Sequence, residues 1–243
     1  MSFNLLSEPI RKFIYEKGWD ELRPIQNAAI SRILGSDENY ILASRTASGK
    51  TEAAFLPILS KVDFNEPGVQ VLYISPLIAL INDQFYRVEE LCKNLDVDVV
   101  KWHGEANKTV KDRLLKNPKG IVLITPESLE AMFVNKPFNV KQLFSNLKYV
   151  VIDEIHSFIG TDRGIQLKSI LSRLQQVNHK SFSIVGLSAT IGDYVEAKKF
   201  TGDELKTKVL LDKTAKEINS TFKYFKYKKT TNEISLVVKF IIK

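Results

Sequence analysis

Short apolar, β-branched runs alternate with longer amphipathic stretches from about residue 40 to residue 190, and that alternation leaves few folds open. The runs at 40–43, 69–75, 97–102, 121–125, 149–153 and 183–187 read as strands. Several are apolar at nearly every position, as strands covered on both faces are. Between them, 50–60, 77–94, 109–116, 127–133 and 164–177 carry helical patterns. The expected fold class is α/β, a mostly parallel sheet with helices on both faces. Ligands of such sheets bind beyond the carboxyl ends of the strands, so the residues that follow each strand are the ones to read for chemistry.

The first strand runs into Ser44, Arg45, Thr46, Ala47 and Ser48, after which Gly49, Lys50 and Thr51 open a helix. Strand, turn and helix in that order bind phosphate, because the N–H groups of the loop and of the helix start all point at the anion. Lys50 would reach the β- and γ-phosphates of ATP, and the Thr51 hydroxyl would ligate Mg²⁺. Ser44 stands where the strict pattern has glycine, and Gly-Lys-Thr alone recurs by chance; its place after a strand gives it weight. A second apolar run ends in Asp153 and Glu154. Neighbouring residues at a strand end point different ways, so Asp153 would hold Mg²⁺ through water and Glu154 would orient and deprotonate an attacking water. The plain alternative is an acidic turn closing a buried strand. His156 either links this turn to a loop that senses nucleic acid or packs and hydrogen-bonds locally. Ser188, Ala189 and Thr190 follow a third apolar run, where their hydroxyls can bond to the Asp153–Glu154 segment or to a neighbouring domain.

Composition narrows the function classes. The chain has 243 residues and a net charge of +7, but residues 206–243 hold ten lysines and three acids. The other 205 residues carry 25 basic and 25 acidic side chains, so the basic balance belongs to the tail and marks no groove on the core. The single cysteine, Cys92, excludes a disulfide framework and suits a reducing, cytoplasmic setting; it reads as a small buried hydrophobe. No run approaches the roughly 18 apolar residues of a membrane span. His103 and His179 lack the spacing of zinc ligands.

The ordered set of motifs resembles the first RecA-like domain of superfamily 2 helicases, over about residues 20–200. Residues 46–59 (TASGKTEAAFLPIL), 75–83 (SPLIALIND) and 152–167 (IDEIHSFIGTDRGIQL) are similar to the Lhr and Ski2-like branch of the DEAD/DEAH-box helicases. The resemblance implies a RecA-like P-loop domain and an ATP-driven translocase on single-stranded nucleic acid, with DNA favoured over RNA. It implies that Gln26, after Arg23, Pro24 and Ile25, reads adenine, and that Thr46, Ala47, Ser48, Gly49, Lys50 and Thr51 hold the nucleotide. His156, Ser188 and Thr190 would couple the two sites. Ser75 and Pro76, Gly104 in a turn with His103 and Glu105, and Thr125 and Pro126 would bind the strand. Hydroxyls and N–H groups at helix starts hold phosphates without reading bases, which suits a motor stepping along any sequence. The plain alternative for each is a strand-to-helix turn with a capping residue, less favoured at Ser75 than at Thr125 and His103. Arg163 touches the strand or, the favoured reading, is a surface charge that starts a helix.

After Gly202 the alternation stops. Residues 1–205 read as the ATP-binding domain and 206–243 as a basic linker running into a truncated second domain, with an aromatic, lysine-rich segment at 221–229 and a helix at 233–243. The resemblance then implies a second RecA-like domain that supplies catalytic arginines, and a weak or inactive hydrolase, monomeric, without it. Two alternatives stand beside the motor: a P-loop kinase or GTPase, and a degenerate module that keeps the fold without the catalysis. An RNA helicase is the nearest variant of the motor itself.

Overall fold

The computed structural model describes residues 2–45, 48–104, 106–189 and 193–212. The segments expected at 221–229 and 233–243 lie outside them. Seven parallel strands form one sheet: β1 (Asn39–Ala43), β2 (Val71–Ile74), β3 (Val99–Trp102), β4 (Ile121–Ile124), β5 (Tyr149–Ile152), β6 (Ser183–Ser188) and β7 (Thr207–Leu211). Their order across the sheet is β3-β4-β2-β5-β6-β1-β7. From β1 the chain crosses three places to β2, continues outward to β3, then returns to fill the gaps with β4, β5 and β6. That reversal gathers the carboxyl ends of β1, β6 and β5 side by side, with β2 and β4 next to them.

The helices are α1 (Glu8–Glu16), α2 (Pro24–Gly35), α3 (Lys50–Lys61), α4 (Ile78–Leu91), α5 (Lys108–Lys116), α6 (Pro126–Asn135), α7 (Pro137–Phe144), α8 (Asp162–Val177) and α9 (Tyr194–Phe200). None of the described helices is long and apolar enough to cross a membrane. Strand side chains alternate faces with period two, and the core splits on that period. Tyr40 and Leu42, Val71 and Tyr73, Ile121 and Leu123, Tyr149 and Val151, and Val185 and Leu187 join a cluster with α1 to α4. Ile41, Leu72 and Ile74, Val122 and Ile124, Val150 and Ile152, and Ile184 face the other way, against α5 to α9. Cys92, just past α4, lies in the first cluster, where burial pushes its thiol up to about 12.

The seventh strand corrects the boundary drawn from sequence. Residues 207–211 pair with β1 along its full length, from Asn39 opposite Thr207 to Ala43 opposite Leu211, so they complete the sheet and are not linker. The strand is hard to see in sequence because it is an edge strand, exposed at Lys208 and Leu211 and fully buried only at Thr207.

Gly186 on β6 decides how the segment after β5 packs. A Cβ built there would stand 2.8 Å from Ile155 Cδ1 and 2.9 Å from Ile41 Cδ1. The missing side chain lets the 3-10 turn Ile155–Ser157 lie flat on the sheet. We expect Gly186→Ala to cost about 1–3 kcal/mol by overpacking, read as a lower denaturant midpoint. A loss under about 0.5 kcal/mol, the usual range for surface changes, would show that the turn is free to move.

Candidate functional site

Gly49 caps α3 in the left-handed region, φ 81° and ψ 35°, where a side chain would be strained. An added Cβ would also lie 2.5 Å from Gln26 Nε2. The loop therefore closes against Gln26 only because residue 49 is glycine. Gln26 is buried on the first turn of α2, where its Oε1 accepts the Arg23 N–H at 2.9 Å and its Nε2 donates to the Gly49 carbonyl at 3.4 Å. Lys50 Nζ donates to the carbonyls of Ser44 and Arg45 at 2.8 and 2.9 Å, folding back over the loop. Burial lowers the pKa of its ammonium, and the Glu154 and Asp153 carboxylates oppose that shift. The two acids are thus electrostatic neighbours of Lys50. Ser48 bonds to the Ser44 hydroxyl. Thr46, Ala47, Glu105 and Thr190 lie outside the described residues.

Thr51 is buried, and its hydroxyl donates to Gln84 Oε1 on α4 at 2.9 Å. That bond uses the hydrogen and leaves the oxygen lone pairs for a cation. Asp153, just past β5, is buried, and burial holds its carboxyl above the usual range. Tyr73 on β2 is sealed beneath it, close enough for the two charges to interact, although its hydroxyl makes no hydrogen bond of ordinary geometry. The Glu154 N–H donates to Asp153 Oδ1 at 3.0 Å. Glu154 is the sole non-glycine residue with positive φ among those described, at φ 46° and ψ 46°. Such strain persists where the surroundings dictate it, often at functional sites.

His156 Nδ1 is 3.0 Å from Ser188 Oγ and 3.3 Å from Glu154 Oε2, and the Ser44 N–H donates to the Ser188 carbonyl at 3.2 Å. Ser188 thus joins the ends of β1 and β5, and His156 has a defined linking position.

The expected strand-binding residues lie along the same sheet edge. Ser75 is fully buried with its hydroxyl unpaired. Gly104 is exposed beyond β3. The Thr125 hydroxyl accepts from the Ser128 N–H at 3.2 Å as the cap of α6, and Pro126 is the buried first residue of that helix. Arg163 sits in the first turn of α8 with its side chain 41% exposed, a surface charge at a helix start, and it is paired. Its Nε donates to Glu127 Oε1 at 2.8 Å and its Nη2 to the Pro76 carbonyl at 2.8 Å, tying the segment after β5 to both strand-facing turns.

A cavity of about 390 Å³ opens beside Gly49, lined by Trp19, Glu21, Arg23, Gln26, Glu52 and Arg87. The loop glycine, the Lys50 cation, a hydroxyl with free lone pairs and one carboxylate fit a nucleoside triphosphate with Mg²⁺, which takes few protein ligands and completes its shell with phosphate and water. Of these residues sequence reading missed Trp19, Glu21, Glu52, Tyr73, Gln84 and Arg87. Only position could have flagged them: Glu52 directly follows Thr51, and Gln84 directly follows the 75–83 tract.

The family model for the DEAD/DEAH box helicases matches residues 23–197. The chain belongs to that family. As a family member it is the first RecA-like domain of a superfamily 2 helicase. It is 35% identical over 217 residues to the ATP-dependent helicase Lhr-Core of Methanocaldococcus jannaschii, covering 82% of this chain and 25% of that protein. It is 30% identical to the ATP-dependent DNA helicase Hel308 of Methanococcus vannielii, covering 93% of this chain and 30% of the other. Among solved structures, the Mycobacterium smegmatis helicase Lhr bound to ssDNA and AMP-PNP superposes with a TM-score of 0.79 at 26% identity, over 88% of this chain and 29% of that one. The helicase domain described here therefore spans about a quarter of the length of these relatives.

Proposed function

We propose that this DEAD/DEAH-box domain is the ATP-binding half of an ATP-dependent helicase or translocase on single-stranded DNA, with Mg²⁺ as the metal. The observation that carries the proposal is the convergence of Lys50, Thr51, Asp153, Glu154 and Ser188 at the carboxyl ends of three adjacent strands, continuous with the turns at Ser75 and Thr125. Relatives described as DNA helicases or solved with ssDNA support DNA over RNA.

When bound, ATP with Mg²⁺ supplies the phosphoanhydride and the cation that offsets charge on it. The chain's residues do the rest. Gly49 and the first turn of α3 offer N–H groups to the anion. Lys50 adds a fixed cation, Thr51 directly and Asp153 through water would hold the metal, and Glu154 would orient a water and take its proton. Through His156 and Ser188 the position of Glu154 is tied to the β6 end, and through Arg163 the same segment is tied to the strand-facing turns. A second RecA-like domain following the basic tail supplies the arginines that complete catalysis, worth about 10³–10⁵ in rate in other P-loop enzymes.

Residues 1–243 are therefore expected to bind ATP but to hydrolyse it weakly and to unwind no duplex. The longer protein should show hydrolysis raised by single-stranded DNA. Hydrolysis indifferent to single strands, or robust unwinding by residues 1–243 alone, would sink the proposal.

A further inference from the structure

Glu52, on the first turn of α3, carries a carboxylate oxygen that no protein group satisfies. Its Oε2 is sealed from solvent and accepts no hydrogen bond. Arg87 Nη1 approaches the other oxygen at 3.8 Å, too far for a normal hydrogen bond. The Cβ position of Gly49 lies 2.5 Å from Gln26 Nε2 and 3.4 Å from Glu52 Oε2, so the amide and the carboxylate converge on one side of the loop. Both line the cavity beside Gly49. Leaving a buried acceptor without a donor is costly, and more so when it is charged. A small rotation of the Glu52 side chain toward the cavity would put that oxygen within reach of a donor on whatever enters it.

We propose that Glu52 selects the base, its Oε2 accepting a hydrogen bond from the exocyclic amine of adenine beside Gln26. The inference rests on the nucleotide reading of this site. An adenine amine has two hydrogens. Gln26 Oε1 already accepts the Arg23 N–H and keeps a second lone pair for one of them; Glu52 takes the other. Guanine carries a carbonyl oxygen at that position. Two acceptors would then face each other out of water, with no proton between them, and a carboxylate cannot turn to donate. Glutamine at residue 52 could, because its amide has a donor as well.

The test is the ratio of GTP–Mg²⁺ to ATP–Mg²⁺ dissociation constants, read from ligand-induced stabilisation of the protein rather than from turnover. The wild-type protein is expected to favour ATP by at least about tenfold, the scale of one unsatisfied buried acceptor. Glu52→Gln should shrink that ratio by about tenfold. Glu52→Asp, which withdraws the carboxylate by one methylene, should shrink it too and serves if the glutamine variant does not fold. A ratio within twofold of wild type in a folded variant, or a wild-type protein that does not distinguish the two nucleotides, overturns the proposal. So does a change confined to the ATP to 2′-deoxy-ATP ratio, which would assign the oxygen to the ribose. Lys50→Ala is measured alongside: stabilisation by ATP that survives it places the nucleotide elsewhere and fails the site reading itself, whereas its loss there with an unchanged Glu52→Gln ratio fails only the base assignment.

Discussion

Glu154→Gln in the intact motor should lower strand-stimulated ATP hydrolysis by about 10²–10⁴-fold, the usual weight of a general base, while nucleotide binding persists. The substitution keeps shape and hydrogen-bonding reach but removes proton affinity. The backbone marks this residue out. At φ 46° it occupies a conformation that only glycine and a few polar residues adopt readily, and it does so directly after Asp153, two residues past the end of β5. The left-handed turn separates the two carboxylates: Asp153 is buried and aligned by the Glu154 N–H, while the Glu154 side chain is turned to His156. One acid is therefore placed to hold a cation and the other to meet water. Nothing in the Glu154 contacts requires a charge for folding, so the variant should melt close to wild type. Steady-state hydrolysis with saturating single-stranded DNA checks the prediction; a fall under about tenfold would put the base at another residue.

What was legible in the sequence followed local chemistry. β1, β2, β4, β5 and β6 are buried at nearly every position and show as apolar runs because both faces are covered, and the motifs show because a parallel sheet places functional residues directly after its strands. The face that each strand residue takes is invisible in a run such as Ile121–Ile124, where every position is apolar. β3 and β7 are both edge strands with a single buried position, but β7 lies where the chain turns lysine-rich, so its Lys208 reads as part of the basic tail. Partnerships made across the fold were also hidden. Arg163 reads as a helix-starting charge until α8 brings it to Glu127 and to the Pro76 carbonyl, 36 and 87 residues away in sequence. Gln84 and Tyr73 belong to α4 and β2, and only the crossover that seats β2 next to β5 puts Tyr73 under Asp153. Thr125 illustrates the reverse case: its hydroxyl is engaged as a helix cap, so what it offers a strand is the turn it holds in shape.

Lys50→Ala should abolish the stabilisation that ATP–Mg²⁺ gives the domain. For a ligand at about 100 times its Kd that stabilisation is about 2.7 kcal/mol, or roughly 5–11 °C in a chain of this size. If the variant's Kd rises about 100-fold, the same ligand concentration gives only about 0.4 kcal/mol. The protein without nucleotide should change far less. Lys50 makes two hydrogen bonds to loop carbonyls, but its ammonium is partly withdrawn from water, and that burial works against the charged form. Loss of the bonds and relief of the burial act in opposite directions, so the unliganded melt moves little. The sign of the pKa shift fixes a control. Because burial lowers the folded-state pKa, the uncharged lysine becomes available in the folded protein at a lower pH than in the unfolded chain. The destabilising effect of that burial is thus fully present below the folded pKa and fades as pH rises through it. Nucleotide binding, which needs the cation, should weaken over the same rise in pH in the wild type and not in Lys50→Ala. Melting curves with and without ATP–Mg²⁺ across alkaline pH separate the two effects. An ATP-dependent shift of wild-type size in Lys50→Ala would mean that the loop at Gly49 does not hold the phosphates.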